Sequence, residues 1–87
     1  MSSKELLDLF LSAPEGVTTD TRMCREGMIF FALKGENFDG NKYASEALDA
    51  GCIAAVVDDT SLEGQTNIIV VNDVLETLQG LFALAKR

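Results

Sequence analysis

Eighty-seven residues carry a formal charge of −7, with 47% hydrophobic side chains, no histidine and two cysteines. A chain of that length makes one small domain over residues 1–87, burying roughly 60–65% of its unfolded surface around a single core. The acidic balance argues against nucleic acid or an anionic membrane as partner, since both require a basic footprint. Two thiols without a histidine support neither a disulfide framework nor a zinc site. The hydrophobic content and single proline read as a folded domain rather than a disordered tail. No apolar run approaches the length of a membrane span, and Met1-Ser2-Ser3-Lys4-Glu5 lacks the apolar stretch of a secretory signal, so the cytoplasm is the expected compartment.

In chain order, Lys4 to Ser12 predicts a short helix with Leu6, Leu7, Phe10 and Leu11 on one side, ended by Pro14-Glu15-Gly16. Val17 to Thr19 predicts a short β-branched strand leading into Thr19-Asp20-Thr21-Arg22, read as a polar hairpin. Met28 to Leu33 is wholly apolar and bounded by Gly27 and Gly35, the signature of a strand covered on both faces. Tyr43 to Ala50 predicts a helix whose Ala44, Ala47 and Leu48 share a face, with Gly51 at its C-terminus. Cys52 to Val57 and Asn67 to Val71 predict two further buried strands, separated by the acidic surface loop Asp58 to Gln65. Asp73 then opens a helix with Glu76 three residues on, a capping-box pairing, and Val74, Leu75, Leu78, Leu81, Phe82 and Ala85 form its apolar face. The order helix, strand, strand, helix, strand, strand, helix predicts an α/β fold: a small layered domain with a mixed or parallel sheet flanked by helices.

Ligands of open α/β sheets sit beyond the carboxyl ends of the strands, which directs attention to the loop after Leu33. Gly35 and Gly40 let backbone amides approach a ligand closely. Four of the seven basic residues, Arg22, Arg25, Lys34 and Lys42, cluster there, a cationic patch suited to a small anion such as a diphosphate. Arg22 offers a guanidinium fork, Lys34 a point charge, Thr19 and Thr21 hydroxyls, and the segment Gly35, Glu36, Asn37, Phe38, Asp39, Gly40 its exposed amides. Each has a structural alternative. Thr21 can bond its own turn, Arg22 can pair with Asp20 or Asp39, Phe38 can anchor the core, and Asp39-Gly40 can shape a turn. Cys24 and Cys52 read as small buried or half-buried thiols; Cys24 beside Arg25 is the alternative, open to a lowered pKa, though neighbours in sequence need not be neighbours in space. Chemistry is poorly served: there is no histidine, no nucleophile elbow, and nothing with the G-x-x-x-x-G-K-[ST] spacing of a phosphate loop. Glu36 with Asp39 is a conceivable but meagre metal pair, and Asp58-Asp59 reads as a strand terminator.

Thr19-Asp20-Thr21-Arg22, then Gly27 to Gly35, Asp39-Gly40, Ala50-Gly51, Ala54-Ala55-Val56-Val57 and the closing Ala83-Leu84-Ala85-Lys86-Arg87 together resemble the amino-terminal domain of the Mur ligases. Within that family the resemblance is to the enzymes that extend the UDP-N-acetylmuramoyl peptide, by a third amino acid or by D-alanyl-D-alanine. Thr21 stands where serine is usual, and Asn41 where histidine is frequent in the third-residue branch. Phe38-Asp39-Gly40-Asn41 is closer to the D-alanyl-D-alanine branch. The resemblance implies that the chain holds the UDP end of the substrate through Thr19, Thr21, Glu36, Asn37 and Phe38. It also implies that the chain is part of a longer ligase. ATP and Mg2+ would serve the other domains of that ligase, with no cofactor here. The alternative is a stand-alone, non-catalytic nucleotide-sugar or protein-interaction module.

Overall fold

The computed structural model describes residues 3–12, 16–33 and 40–85. Helix α1 spans Ser3–Ser12, followed by strands β1 (Val17–Thr18) and β2 (Ile29–Phe31), helix α2 (Ala44–Asp49), strands β3 (Ala54–Val57) and β4 (Ile68–Val70), and helix α3 (Val74–Ala85). Short 3-10 turns at Thr21–Met23, Gly40–Tyr43 and Thr60–Leu62 fill the connections. The strands form one sheet in the order β1-β2-β3-β4, and every pairing is parallel.

Two-faced burial is written into the residue types of β2 and β3. Ile29, Phe30, Phe31, Val56 and Val57 are the largest fully buried side chains, so neither face of the central strands meets water. Because side chains alternate along a strand, odd and even positions part company. Ile29, Phe31, Ala54, Val56 and Ile69 join Leu6 of α1 and Val74, Leu78 and Leu81 of α3 in one core layer. Met28, Phe30, Ala32, Ala55 and Val57 join Ala44 and Ala47 of α2 in the other. The register keeps these sets in line, with Phe31 opposite Val56 and Val56 opposite Ile69, while Phe30 lies opposite Ala55. Alanines on α2 let that helix lie close on a sheet face whose bulk comes from Phe30.

α2 ends in a Schellman motif. Cys52 N–H donates to Ala47 O (3.2 Å) and Gly51 N–H to Leu48 O (3.1 Å), with Gly51 in the left-handed region at φ +110°. A Cβ on Gly51 would also stand 2.9 Å from Glu26 Cα, so this position excludes a side chain twice over. At the head of α3, Glu76 N–H donates to Asp73 Oδ1 at 2.9 Å, the cap expected from sequence.

Three sequence expectations change. Thr19 to Arg22 is not part of a hairpin: β1 and β2 are parallel, so residues 19–28 form a connection that brings the chain back to the same end of the sheet before β2 starts. Leu11 is 60% exposed, because at 100° per residue it lies roughly 120° from the centre of the Leu6–Phe10 stripe, and Leu9 packs in its place. Leu75 is 50% exposed for the same reason on α3, whereas Phe82, also at the stripe's edge, meets Phe10 edge-on with centroids 5.3 Å apart. Among the described residues no helix is long and apolar enough to cross a membrane.

Phe31→Ala is expected to destabilise the chain by about 3–5 kcal/mol, measured by denaturant unfolding, because a fully buried ring leaves a cavity. Gly64 has a similar left-handed φ of +91° but open space around it. Gly64→Ala should therefore cost about 1–2 kcal/mol of backbone strain, and Gly51→Ala clearly more. Equal costs at the two sites would rule out the close approach at Glu26.

Candidate functional site

With four parallel strands, all carboxyl ends fall on one edge of the sheet, and two clefts are lined there by described residues. The larger, about 500 Å³, is walled by Thr19, Asp20, Thr21 and Arg22, directly after β1, and by Tyr43 and Glu46 from the head of α2. The smaller, about 290 Å³, lies among Leu33, Asp58, Asp73, Val74 and Leu75, where β2, β3 and β4 end and α3 begins. The sheet has no switch in strand order of the kind that opens a crevice in doubly wound folds. The larger cleft is made instead by the β1–β2 crossover standing against α2.

Asp20 builds that crossover. Its backbone is extended (φ −126°, ψ 119°) and its carboxylate caps the 3-10 turn by accepting from Arg22 N–H at 2.9 Å. The Arg22 guanidinium closes on the same carboxylate. Nε–H donates to Oδ1 and Oδ2 at 3.1 and 3.2 Å, and Nη2–H donates to Oδ2 at 2.8 Å. Asp20 N–H donates to Thr18 Oγ1 (3.1 Å), and Thr18 Oγ1 donates back to Asp20 O (3.2 Å). Met23 N–H donates to Asp20 O at 2.9 Å. The side-chain hydrogen bond from Arg22, then its backbone N–H, holds the Asp20 carboxyl below its ordinary value, and Asp20 raises Arg22 in return. Arg22 itself is 88% exposed, and its Nη1 hydrogens lie outside the three contacts with Asp20.

Of the alternatives open in the sequence, Arg22 takes Asp20 as its ion-pair partner, and the hydroxyl that closes the turn is that of Thr18 rather than Thr21. Thr19, Thr21 and Arg22 are brought together on one wall. Lys34, Gly35, Glu36, Asn37, Phe38 and Asp39 lie outside the described residues, and Gly40 begins the 3-10 turn that leads into α2. Asp59 caps its own turn, accepting from Ser61 N–H and Oγ–H at 2.9 and 2.7 Å. Sequence reasoning missed Tyr43 and Glu46 as cleft residues. Their i, i+3 spacing at the helix start puts both on the face turned to the crossover, but only the packing of α2 says which face that is.

Cys24 is half-buried and Cys52 buried, as the sequence suggests, and the alternative of a lowered Cys24 pKa is overturned. The Cys24 thiol is pushed up to about 12, first by burial and then by the neighbouring Cys52, with Asp20 and Glu46 adding negative charge. Cys24 packs against the α2 layer that contains Cys52, and both thiols are free.

With this geometry in view, likeness to known proteins becomes informative. The sequence profile described as "Mur ligase family, catalytic domain" matches residues 14–85. The UDP-N-acetylmuramoyl-tripeptide--D-alanyl-D-alanine ligase of Bacillus subtilis is 42% identical over 69 residues, covering 76% of this chain and 15% of that protein. The UDP-N-acetylmuramoyl-L-alanyl-D-glutamate--2,6-diaminopimelate ligase of Rickettsia typhi is 35% identical over 63 residues, covering 72% and 13%. Among solved structures, the MurF ligase of Thermotoga maritima in complex with ADP superposes with a TM-score of 0.67 at 31% identity, over 75% of this chain and 15% of that one. The chain thus spans about one seventh of the length of the relatives it matches.

The Asp20–Arg22 pair has a direct signature. A carboxyl held low stabilises the turn fully above its ordinary value of 3.8, and that contribution is lost as pH falls through the lower folded value. Followed by the 13C shift of its carboxyl carbon, Asp20 is expected to titrate below 3.8, and Arg22→Ala to move the midpoint back up. A midpoint unmoved by Arg22→Ala would mean the guanidinium is not what holds it.

Proposed function

The chain belongs to the Mur ligase family, and on that premise we propose that it is the substrate-holding part of a longer peptidoglycan-precursor ligase. In this reading it seats the uridine diphosphate end of a UDP-N-acetylmuramoyl peptide. One observation carries the proposal: the larger cleft lies at the carboxyl edge of a parallel sheet, and its wall includes Thr19 and Thr21, two of the residues that the family resemblance assigns to the nucleotide. Thr19 and Thr21 supply hydroxyls beside it. Arg22, braced by Asp20, keeps its outer donors for an anionic oxygen. The segment from Lys34 to Gly40, which follows β2 in the sequence, completes the site in this reading.

Within the family we assign the chain to the branch that adds D-alanyl-D-alanine. The support is Phe38-Asp39-Gly40-Asn41, together with 42% identity over 76% of this chain to the Bacillus subtilis enzyme, against 35% over 72% and 40% over 60% to two diaminopimelate-adding enzymes. The whole enzyme would activate the peptide carboxylate with ATP and Mg2+ in the cytoplasm, with groups that belong to its other domains. Binding the nucleotide end here would contribute at a distance, positioning the peptide tail for reaction and so raising rate as well as affinity.

Titration of UDP into 15N-labelled chain tests the reading. The amides of Thr19 to Met23 and of Lys42 to Ala47 are expected to shift, with those of α1 and α3 unmoved. Arg22→Ala should weaken UDP binding by roughly tenfold, the scale of one hydrogen bond to a charged group, without changing the fold. Shifts confined to the Leu33–Asp58–Asp73 cleft, or none at millimolar UDP, would refute it.

A further inference from the structure

Away from the cleft walls, one pair of reactive groups is left without a role: the two free thiols. Cys24 caps the Thr21–Met23 turn at its C-terminal end, and Cys52 follows the glycine that closes α2. The backbone lays their segments side by side. Gly27 N–H donates to Gly51 O at 3.2 Å and Ile53 N–H to Met28 O at 2.8 Å, while Gly51 lies so near Glu26 that a Cβ there would touch its backbone. The Cys24 thiol reaches Asp20 O at 3.8 Å. Cys24 packs against the α2 layer to which Cys52 belongs, and the two side chains interact directly.

The surroundings select among the states open to such a pair. Burial, then Cys52, then the carboxylates of Asp20 and Glu46 all oppose a lasting thiolate at Cys24. Binding a metal ion would require that thiolate, and among the described residues no three His, Cys, Asp or Glu converge as ligands. A disulfide carries no charge, so the same surroundings accept it as readily as they accept the two thiols.

We propose that Cys24 and Cys52 form a reversible dithiol–disulfide pair that staples the β1–β2 crossover to the turn between α2 and β3. A low-molecular-weight disulfide, RSSR, meets half-buried Cys24 first. The Cys24 sulfur attacks as its thiolate, the RS–SR bond breaks, and one RSH leaves with the Cys24 proton. Cys52, which is 5% exposed, then attacks the Cys24 sulfur of the mixed disulfide from within. The bond from Cys24 to SR breaks as the Cys24–Cys52 bond forms, and a second RSH leaves with the Cys52 proton. Two electrons have passed from the pair to the small disulfide. In a reducing compartment the pair rests as the dithiol and closes only when small disulfides accumulate. Because the Thr21–Met23 turn runs directly into Cys24, closure is felt in one wall of the larger cleft. The pairing itself does not depend on what that cleft holds.

Incubating the wild-type chain with oxidised glutathione, then alkylating and weighing the intact protein, tests the pair. The expected product is a monomer lighter by two hydrogens than the reduced chain, with no alkylated thiol, and dithiothreitol restores the starting mass. Closing so long a loop should raise the melting temperature by about 10 °C or more. The 13Cβ resonances of both cysteines should move together, with the amides of Thr21 to Cys24 shifting and those of α3 unmoved. Cys52→Ala should stop at the glutathione adduct on Cys24.

A wild-type chain that stops at that adduct, cross-links between molecules, or melts no higher once oxidised would overturn the proposal. Those three readouts need no variant, so they decide the matter even where Cys52→Ala fails to fold.

Discussion

Burial of the central strands on both faces is the constraint from which the rest of the structure follows. Ile29 to Phe31 and Ala54 to Val57 present apolar side chains above and below the sheet, so each face needs helical cover. α1 and α3 cover one side and α2 the other. Crossovers that run between parallel strands bring every strand back in the same direction, so all four carboxyl ends emerge along one edge. The clefts exist there because the core leaves the loops nowhere else to gather.

On that edge a second, local constraint takes over. Asp20 ties together its own backbone, the turn after it and the Arg22 side chain, so the crossover holds a defined shape while remaining at the surface. An exposed ion pair of this kind contributes little to global stability. Its consequence is geometric: it fixes which way the guanidinium of the cleft wall points. The Schellman end of α2 does the matching work on the other side, where Gly51 lets the turn after the helix lie against Glu26 and so sets α2 against the crossover.

In the proposed function this layer would hold a substrate and leave bond-making to other domains. The described residues offer an ion pair, hydroxyls, a tyrosine and a carboxylate around a cleft, and no three His, Cys, Asp or Glu side chains among them converge as metal ligands would.

The order of elements, the two-faced strands and the helix ends at Asp73 and Gly51 were legible in the sequence. Each is set by side-chain chemistry acting within a few residues: apolar alternation, a carboxylate three residues ahead of an amide, a glycine where a helix must turn. Parallel pairing of β1 with β2, the exposure of Leu11 and Leu75, the rise in the Cys24 pKa beside Cys52, and the meeting of Tyr43 and Glu46 with Thr21 were decided only in three dimensions. Those depend on which neighbour a face finally packs against. Contacts between residues twelve or more positions apart are selected by the competition among all buried faces for cover, which no local stretch of sequence encodes.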